Sequence, residues 1–260
     1  MRNICVAAHR GNSIAFPENT MAAYRSAAAL PIDQIEIDLH MSRDGRLMMI
    51  HDESVTRTTN GDGLVRSMTA KEIRALDAGS WKGAQFAGER VPVFEEFLEL
   101  MQDVPEMTVN VELKDYPQPG DEEWAWKSAD SAIALLDKYS MLDRIFINSW
   151  SAPLLEYIDE KYHHAFRLHG YYPFERFKGK MTRDPYDYLY CACLWTSPQE
   201  PVAPQADFDY ARQRGVEPWV FAREDTPKLY DQFIQRGARL ITTNDPQTCT
   251  AYLQERERAD

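Results

Sequence analysis

Polar side chains that can bind a metal or move a proton follow short apolar segments in the first half of the chain. They are His9, Arg10, Glu36, Asp38, His51, Glu112 and Lys114. Carboxylate oxygens are the ligands that Mg²⁺ and Ca²⁺ prefer, and histidine exchanges protons near neutral pH. The set therefore indicates metal-assisted acid–base chemistry, provided that the fold brings its members together.

The carboxylates occur in two strand-like segments, "QIEIDL" and "TVNVELK", in which apolar and polar residues alternate. Glu36 and Asp38 would share one face of their strand, and Glu112 and Lys114 one face of theirs. Parallel barrel strands are normally apolar on both faces, and carboxylates placed together repel one another unless a cation lies between them. We therefore infer a divalent cation, Mg²⁺ or Ca²⁺, held by Glu36, Asp38 and Glu112.

His9 and His51 would supply one proton acceptor and one proton donor beside this cation. Arg10 and Lys114 would neutralise phosphoryl oxygens as negative charge grows in the transition state. This combination is typical of phosphodiester cleavage.

Each motif has a simpler explanation when it is taken alone. A single E-x-D is more often a solvated strand edge, and Lys114 can simply pair with Glu112 or Asp115. The convergence of the groups favours the functional interpretation. The other histidines, for which no catalytic role is expected, are His40, His163, His164 and His169.

The elements that must position these side chains alternate between strand-like and helical segments. This order predicts an α/β fold, a distorted (β/α)8 TIM barrel whose strand ends carry the site. The strand-like segments are "ICVAA", "QIEIDL", "RLMMI", "MTVNVEL", "RIFIN", "HAFRL", "YLYCACL", "EPWVFA" and "RLITT". One is surplus to a barrel, and we expect it to be "YLYCACL". Helices are predicted at 18–29, 69–76, 94–102, 122–139, 152–162, 204–214, 226–236 and 246–257.

Two segments depart from the alternation of strands and helices. The link "HMSRDG" is too short for a helix, so we expect the chain to return to the barrel floor in extended form, with one helix missing there. Residues 54–92 form a long excursion after the third strand, which predicts an inserted subdomain or lid at the active site. The chain is otherwise predicted to be a single catalytic domain over residues 1–260.

Composition narrows the functional class. The net charge of −12 disfavours binding to nucleic acid or to anionic lipid. No run of about 18 apolar residues predicts a membrane span, and the four cysteines are too few for a disulfide scaffold. A soluble cytoplasmic protein is expected, and the sequence leaves open whether a signal segment was removed from a longer precursor.

The motifs resemble those of the glycerophosphodiester phosphodiesterase family. The likeness rests on "AHRG", "PENT", "EIDLHMSRDGRLMMIHD", "TTNGDGLV", "LDAGSW", "VPVFEEFLEL" and "VELK", and after residue 115 on "INSW", "PWVFA" and "ITTNDP". The resemblance implies hydrolysis of a small glycerophosphodiester to glycerol 3-phosphate and an alcohol, with a glycerol hydroxyl attacking phosphorus. It gives His9 and His51 the acid and base roles.

The resemblance also implies which residues bind the metal and the substrate. Glu36, Asp38 and Glu112 would bind the metal, and Arg10 and Lys114 the phosphate. Glu18 of "PENT" and Trp219 of "PWVFA" are further predicted substrate-binding residues.

Other functions stay open at this point. A lysophospholipase D or sphingomyelinase D-like enzyme would share the barrel, the histidines and the metal. A noncatalytic barrel that binds phosphoglycerol is the alternative from another class, although every expected catalytic group is present. The sequence does not reveal the preferred alcohol, the physiological metal or the oligomeric state.

Overall fold

The computed structural model describes residues 4–194 and 202–259. Within them, eight parallel strands close into a barrel in the order β1, β2, β4, β5, β6, β7, β8, β9 and back to β1. The strands are β1 (Cys5–His9), β2 (Gln34–Met41), β3 (Leu47–Met49), β4 (Thr108–Leu113), β5 (Ile145–Asn148), β6 (Leu168–Tyr172), β7 (Cys191–Leu194), β8 (Glu217–Ala222) and β9 (Leu240–Thr243). The predicted (β/α)8 barrel is confirmed.

The surplus strand is β3, and the prediction that it was "YLYCACL" is wrong. β3 pairs antiparallel with the end of β2, with Leu39 opposite Met49, so the chain does not return to the barrel floor. A turn of so few residues permits only a hairpin, because a parallel neighbour needs a long crossover. β7 instead lies inside the barrel, between β6 and β8.

The helices lie close to their predicted positions. They are α1 (Met21–Ala28), α2 (Ala70–Arg74), α3 (Phe94–Leu100), α4 (Glu122–Lys138), α5 (Ala152–Lys161), α6 (Gln205–Gln213), α7 (Pro227–Arg236) and α8 (Pro246–Ala259). The capping box of Thr69 and Glu72 opens α2. Asp245 accepts a hydrogen bond from Thr248 N at 3.0 Å and so caps α8.

The missing helix lies elsewhere than predicted. α3 precedes β4 and completes the crossover from the β2–β3 hairpin to the next barrel strand. Across residues 173–190, all of which are described, two short 3-10 helices replace the α-helix expected between β6 and β7. The barrel is therefore irregular at β6–β7.

Side-chain alternation along the strands separates two environments. Ile35, Ile37 and Leu39 of β2 belong to the large core between the strands and the helices. A smaller cluster of Ala7, Phe146, Cys191, Trp219 and Leu240 lies on the inner side of the strands. The residues that alternate with Ile35 and Ile37, which include Glu36 and Asp38, therefore face the barrel interior.

The excursion after β3 has a hydrophobic cluster of its own. Its buried members are Met48, Ile50, Val55, Val65, Ala70, Ile73, Ala78, Val91 and Val93. Met48 and Val93 form an antiparallel bridge, and Met49 N donates to Pro92 O at 2.9 Å. The excursion therefore starts and ends at neighbouring points. Because β3 lies outside the barrel, this segment is inserted between the second and third barrel strands.

Two further sequence expectations bear on the rest of the chain. All four cysteines are free thiols. Among the described residues, none of the helices combines the length and apolar character that crossing a bilayer requires. The cytoplasmic location stays a prediction.

Replacing Ile73 with alanine tests the insertion cluster. Ile73 is fully buried in it, so Ile73→Ala is expected to lower the free energy of unfolding by about 2–5 kcal/mol. Leu64→Ala is the matched control, because Leu64 lies in the same insertion but is 43% exposed. Urea unfolding followed by circular dichroism would measure both, and equal losses would contradict the assigned role of the cluster.

Candidate active site

The turn that follows β1 places two of the predicted site residues over β2. Arg10 has φ +58° and Gly11 φ +79°, so the chain bends sharply after His9. A Cβ on Gly11 would lie 2.8 Å from the carbonyl carbon of Ala23, which explains why glycine occupies this position. The bend lets Arg10 N donate to Glu36 Oε2 at 2.9 Å.

The "PENT" segment holds the second carboxylate of β2. Asn19, with φ +54°, donates from Nδ2 to Asp38 Oδ2 at 2.7 Å. The hydroxyl of Tyr24 donates to Asn19 Oδ1 at 2.6 Å and so fixes the amide. Thr20 caps α1 by accepting from Ala23 N. This loop therefore orients Asp38 from outside the strand.

Glu18, predicted to bind substrate, contacts two arginines instead. Its carboxylate accepts from Arg10 Nη1 at 2.8 Å and from Arg57 of the insertion at 2.8 and 3.0 Å. Glu18 is absent from the lining of the cavity. Its observed contacts hold Arg10 in place and join the first loop to the insertion.

Three buried carboxylates meet at the mouth of the barrel, as the sequence predicts. Glu36, Asp38 and Glu112 are 3%, 0% and 4% exposed. Each offers an oxygen that lies within 4.8 Å of the oxygens of the other two. Asp38 and Glu112 are neighbours in the register of β2 and β4, so paired strands fix their separation.

Two basic side chains compensate only part of this charge. Lys114 Nζ donates to Glu112 and lies 3.1 Å from Asp38 Oδ1, and Arg10 Nε lies 3.2 Å from Asp38 Oδ2. Burial opposes ionisation of Asp38, but Lys114 and Arg10 outweigh it and hold its pKa below the usual range.

Glu36 remains the least compensated carboxylate. Its Oε1 atom is buried without a hydrogen-bond partner among the described residues. Burial, with the charges of Asp38 and Glu112, raises the pKa of Glu36 well above its ordinary value. A buried carboxylate with an orphaned oxygen, grouped with two more carboxylates, fits a hard divalent cation, because such cations take oxygen ligands and offset this repulsion.

The two histidines each have Nδ1 occupied and Nε2 available. His9 Nδ1 lies 2.7 Å from Asn244 Oδ1, and its Nε2 lies 4.0 Å from Glu36 Oε2. His51 Nδ1 lies 2.6 Å from Asp52 Oδ1. Since both partners are acceptors, Nδ1–H donates in each ring. Burial lowers the pKa of His9 to about 3 and also lowers the pKa of His51.

These groups surround one cavity of about 220 Å³. Predicted site residues that line it are His9, Arg10, Glu36, His51, Glu112 and Lys114. Trp150, Tyr171 and Phe221 line one aromatic side of the cavity. Trp150 and Tyr171 stack with ring centroids 3.9 Å apart and an interplanar angle of 4°.

The placement of Trp219 does not agree with its predicted contact with substrate. Trp219 is 2% exposed and packs on Phe146 at 4.7 Å in the interior cluster below the cavity. Phe221 lies two residues further along β8 on the same face, and it lines the cavity instead. Trp219 and Phe221 thus lie on the same face of β8, and of the two only Phe221 lines the cavity.

Sequence reasoning missed several residues that support the site. Asn244 and Asp52 bind the histidines, and Tyr171 donates to Glu112 Oε2 at 2.9 Å. His169, for which no role was expected, lines the cavity, and burial lowers its pKa to about 3. Asp52 was detectable, because it adjoins His51, whereas Asn244, Tyr171 and His169 lie far in sequence from the groups that they contact.

The family follows from a comparison with known proteins. A family model described as the glycerophosphoryl diester phosphodiesterase family matches residues 9–248. The chain belongs to this family. The resemblance seen in the sequence motifs is thereby confirmed.

Two members illustrate the relationship. A glycerophosphodiester phosphodiesterase of Caldanaerobacter subterraneus is 43% identical over 148 residues, which are 56% of this chain and 58% of that relative. The matched part thus spans little more than half of the relative's length. The crystal structure of a glycerophosphodiester phosphodiesterase from Agrobacterium tumefaciens gives a TM-score of 0.76 at 25% identity, covering 95% of this chain and 99% of that one.

A second solved structure shares the fold. An Oleispira antarctica phosphodiesterase, solved in complex with the product sn-glycerol-3-phosphate, gives a TM-score of 0.81 at 24% identity. The alignment covers 96% of each chain. At this identity the likeness shows the barrel of the glycerophosphoryl diester phosphodiesterase family.

A double-mutant cycle tests the support of Asp38. Asn19→Ala is expected to cost about 1–3 kcal/mol of unfolding free energy, because it leaves the buried Tyr24 hydroxyl without an acceptor and removes the hydrogen bond that Asp38 Oδ2 accepts from Asn19. In a Tyr24→Phe background the cost should be smaller, since no hydroxyl is orphaned. Urea unfolding measures all four proteins, and an identical cost in both backgrounds would refute the coupling.

Proposed function

We propose that the protein hydrolyses glycerophosphodiesters to sn-glycerol 3-phosphate and an alcohol, with the help of a bound divalent cation. The observation that carries the proposal is one cavity lined by two histidines, two basic side chains, and Glu36 and Glu112. With Asp38, these two glutamates form the acidic cluster. Family membership supports the same reaction. The relative solved with sn-glycerol-3-phosphate supports glycerol 3-phosphate as the product.

The basic residues would bind the phosphodiester. Arg10 and Lys114 line the cavity and place cationic groups beside the acidic cluster, where the phosphoryl oxygens would lie. Arg10 is held by Glu18 at 2.8 Å, so its guanidinium is already ordered before substrate binds. Charge that grows on phosphoryl oxygens in the transition state is stabilised by such fixed cations.

The histidines would transfer the protons. One accepts a proton at Nε2 from the attacking glycerol hydroxyl, and the other donates a proton to the oxygen of the departing alcohol, which leaves a cyclic glycerophosphodiester. Water then opens this ring to give glycerol 3-phosphate, with the two proton transfers reversed. Asn244 and Asp52 fix the ring tautomers by accepting from Nδ1. Each Nε2 is therefore the atom that exchanges the proton.

Glu36, Asp38 and Glu112 would hold Mg²⁺ or Ca²⁺. When bound, this cation would stabilise negative charge on substrate oxygens and favour ionisation of a coordinated hydroxyl. Buried oxygens in register on β2 and β4 fit such a role, since the strands fix the geometry of the ligands without substrate.

Alanine variants of the histidines test the acid–base roles. His9→Ala and His51→Ala are each expected to lower kcat by about 100-fold or more, because the proton transfer at Nε2 is lost. Release of glycerol 3-phosphate from glycerophosphocholine measures the rate. His163→Asn is the control, since His163 is exposed and outside the cavity. Rates like those of the unaltered protein in both alanine variants would refute the roles.

A substrate with a p-nitrophenol leaving group assigns the two roles. This alcohol departs without protonation, so it should restore activity to the variant that lacks the acid but not to the variant that lacks the base. Recovery in exactly one of the two alanine variants is the expected result. Recovery in both variants, or in neither, would contradict the division of roles.

Glu36→Gln tests the cation site without an activity assay. The unaltered protein should gain about 2.7 kcal/mol of stability when Mg²⁺ or Ca²⁺ is present at 100 times its Kd. The variant should lose this gain, yet it should not lose stability in chelator, because glutamine removes a carboxylate that has an orphaned oxygen. Thermal unfolding with and without cation measures both effects.

Glu156→Gln is the matched control. Glu156 is another buried glutamate, 5% exposed, but its carboxylate accepts from Thr182 N at 2.9 Å and from Arg183 N at 3.1 Å. The control should lose stability and keep the response to cation. The same cation response in Glu36→Gln and in the control would count against the ligand role of Glu36.

The substrate class is tested by comparing two diesters. Glycerophosphocholine should be hydrolysed with a higher kcat/KM than lysophosphatidylcholine, because a cavity of about 220 Å³ suits a small diester. The opposite preference would favour a lysophospholipase D. Binding of glycerol 3-phosphate without hydrolysis of any diester would favour a noncatalytic barrel.

A further inference from the structure

Each carboxylate of the acidic cluster has its own hydrogen-bond donor from outside its strand. Glu36 accepts from Arg10 N at 2.9 Å, and Asp38 accepts from Asn19 Nδ2 at 2.7 Å. Glu112 accepts from the Tyr171 hydroxyl at 2.9 Å. The first two donors belong to the loop after β1, whereas Tyr171 comes from β6. The third donor thus ties the cluster to the opposite part of the barrel.

The register explains how Tyr171 reaches Glu112. Glu112 of β4 is level with Asn148 of β5, and Asn148 is level with His169 of β6. Tyr171 lies two residues beyond His169, on the same inner face and nearer the mouth. Its side chain therefore passes over the end of β5 to contact the carboxylate from the cavity side.

Trp150 restricts the position of the Tyr171 ring. The two rings are parallel within 4°, with centroids 3.9 Å apart, so tilting the tyrosine would break a full face of contact. The Tyr171 hydroxyl lies 2.9 Å from Glu112 Oε2, and an ionised carboxylate can only accept a hydrogen bond. The hydroxyl keeps its proton and acts as a donor.

We propose that Tyr171 is a positioning residue for the cation site, with Trp150 as the support that fixes its ring. Lys114 Nζ donates to Glu112 Oε1, and the Tyr171 hydroxyl donates to one lone pair of Oε2. The carboxylate is thereby held with a free lone pair toward Glu36 and Asp38, whose ligand oxygens lie within 4.8 Å. The inference rests on the proposed function, because it requires that the acidic cluster binds a cation.

Trp150 and Tyr171 have two roles in this arrangement. Trp150 and Tyr171 line the space that the substrate would enter, and the same pair orients a metal ligand. Outer partners of this kind commonly change metal affinity by about 10–100-fold when they are removed. A purely structural or substrate-contacting tyrosine would leave the affinity of the substrate-free protein unchanged.

Calorimetric titration of the substrate-free, full-length protein with Mg²⁺ and with Ca²⁺ tests the proposal. Tyr171→Phe removes only the hydroxyl and keeps the stacked ring, so Kd for the cation should rise by about 10-fold or more. Thermal unfolding in chelator should stay near that of the unaltered protein. Trp150→Ala should weaken cation binding in the same direction, and Trp150→Phe should restore it because a stacked ring is regained.

Tyr172→Phe is the matched control. Tyr172 is the next residue of β6 and points to the other side of the strand, where Asp207 is its hydrogen-bond partner. It should bind the cation like the unaltered protein.

An unchanged Kd in Tyr171→Phe, or an equal loss in the Tyr172 control, would overturn this inference alone. Equal affinities in the two Trp150 variants would overturn the supporting role of Trp150. If the unaltered protein bound neither cation, both this inference and the proposed cation site would be overturned.

Discussion

Repulsion among three carboxylates buried at one end of the barrel is the constraint on which the site depends. Glu36, Asp38 and Glu112 occupy interior positions that a stability-driven sequence would fill with aliphatic side chains. Lys114 and Arg10 offset much of the charge on Asp38 and Glu112. Glu36 keeps an orphaned oxygen. This imbalance is the strongest physical reason to expect a cation, since the local fold does not otherwise satisfy it.

The strands of the barrel and the loops make different contributions to this site. Paired strands set the spacing of the carboxylates, because their register leaves no freedom along the strand axis. Loops supply donors and acceptors that orient the side chains, including Asn19 for Asp38 and Asn244 for His9. Glu18 links the first loop to Arg57 of the insertion. Precision at the mouth thus comes from contacts between segments far apart in sequence.

The sequence predicted those features that depend on local pattern. Alternation in β2 and β4 identified Glu36, Asp38 and Glu112, because side-chain parity in a strand is fixed by the backbone. The helix positions followed from periodicity and from local caps such as Thr69 with Glu72. The seven groups with the clearest chemistry were found in this way, and six of them line the cavity.

Features that depend on pairing between remote segments were not predictable in this way. A strand's period is the same in a hairpin and in a barrel, so β3 and β7 exchanged roles in the prediction. The family resemblance suggested Trp219 as a substrate contact but did not give its depth in the barrel, which is set by the stagger of the neighbouring strands. Tyr171 was missed because its contact with Glu112 depends on the register of β4, β5 and β6, which local pattern does not give.

The bridge between Met48 and Val93 closes the base of the insertion outside the ring of eight strands. A segment whose two ends already touch adds little closure entropy when its length changes. The insertion can therefore be lengthened, shortened or replaced without opening the barrel. Arg57 of the insertion contacts Glu18, and Glu18 contacts Arg10 beside the acidic cluster. A change in the insertion can reach the site through these two contacts. The insertion can thus act on Arg10 while the paired strands keep Asp38 and Glu112 in register.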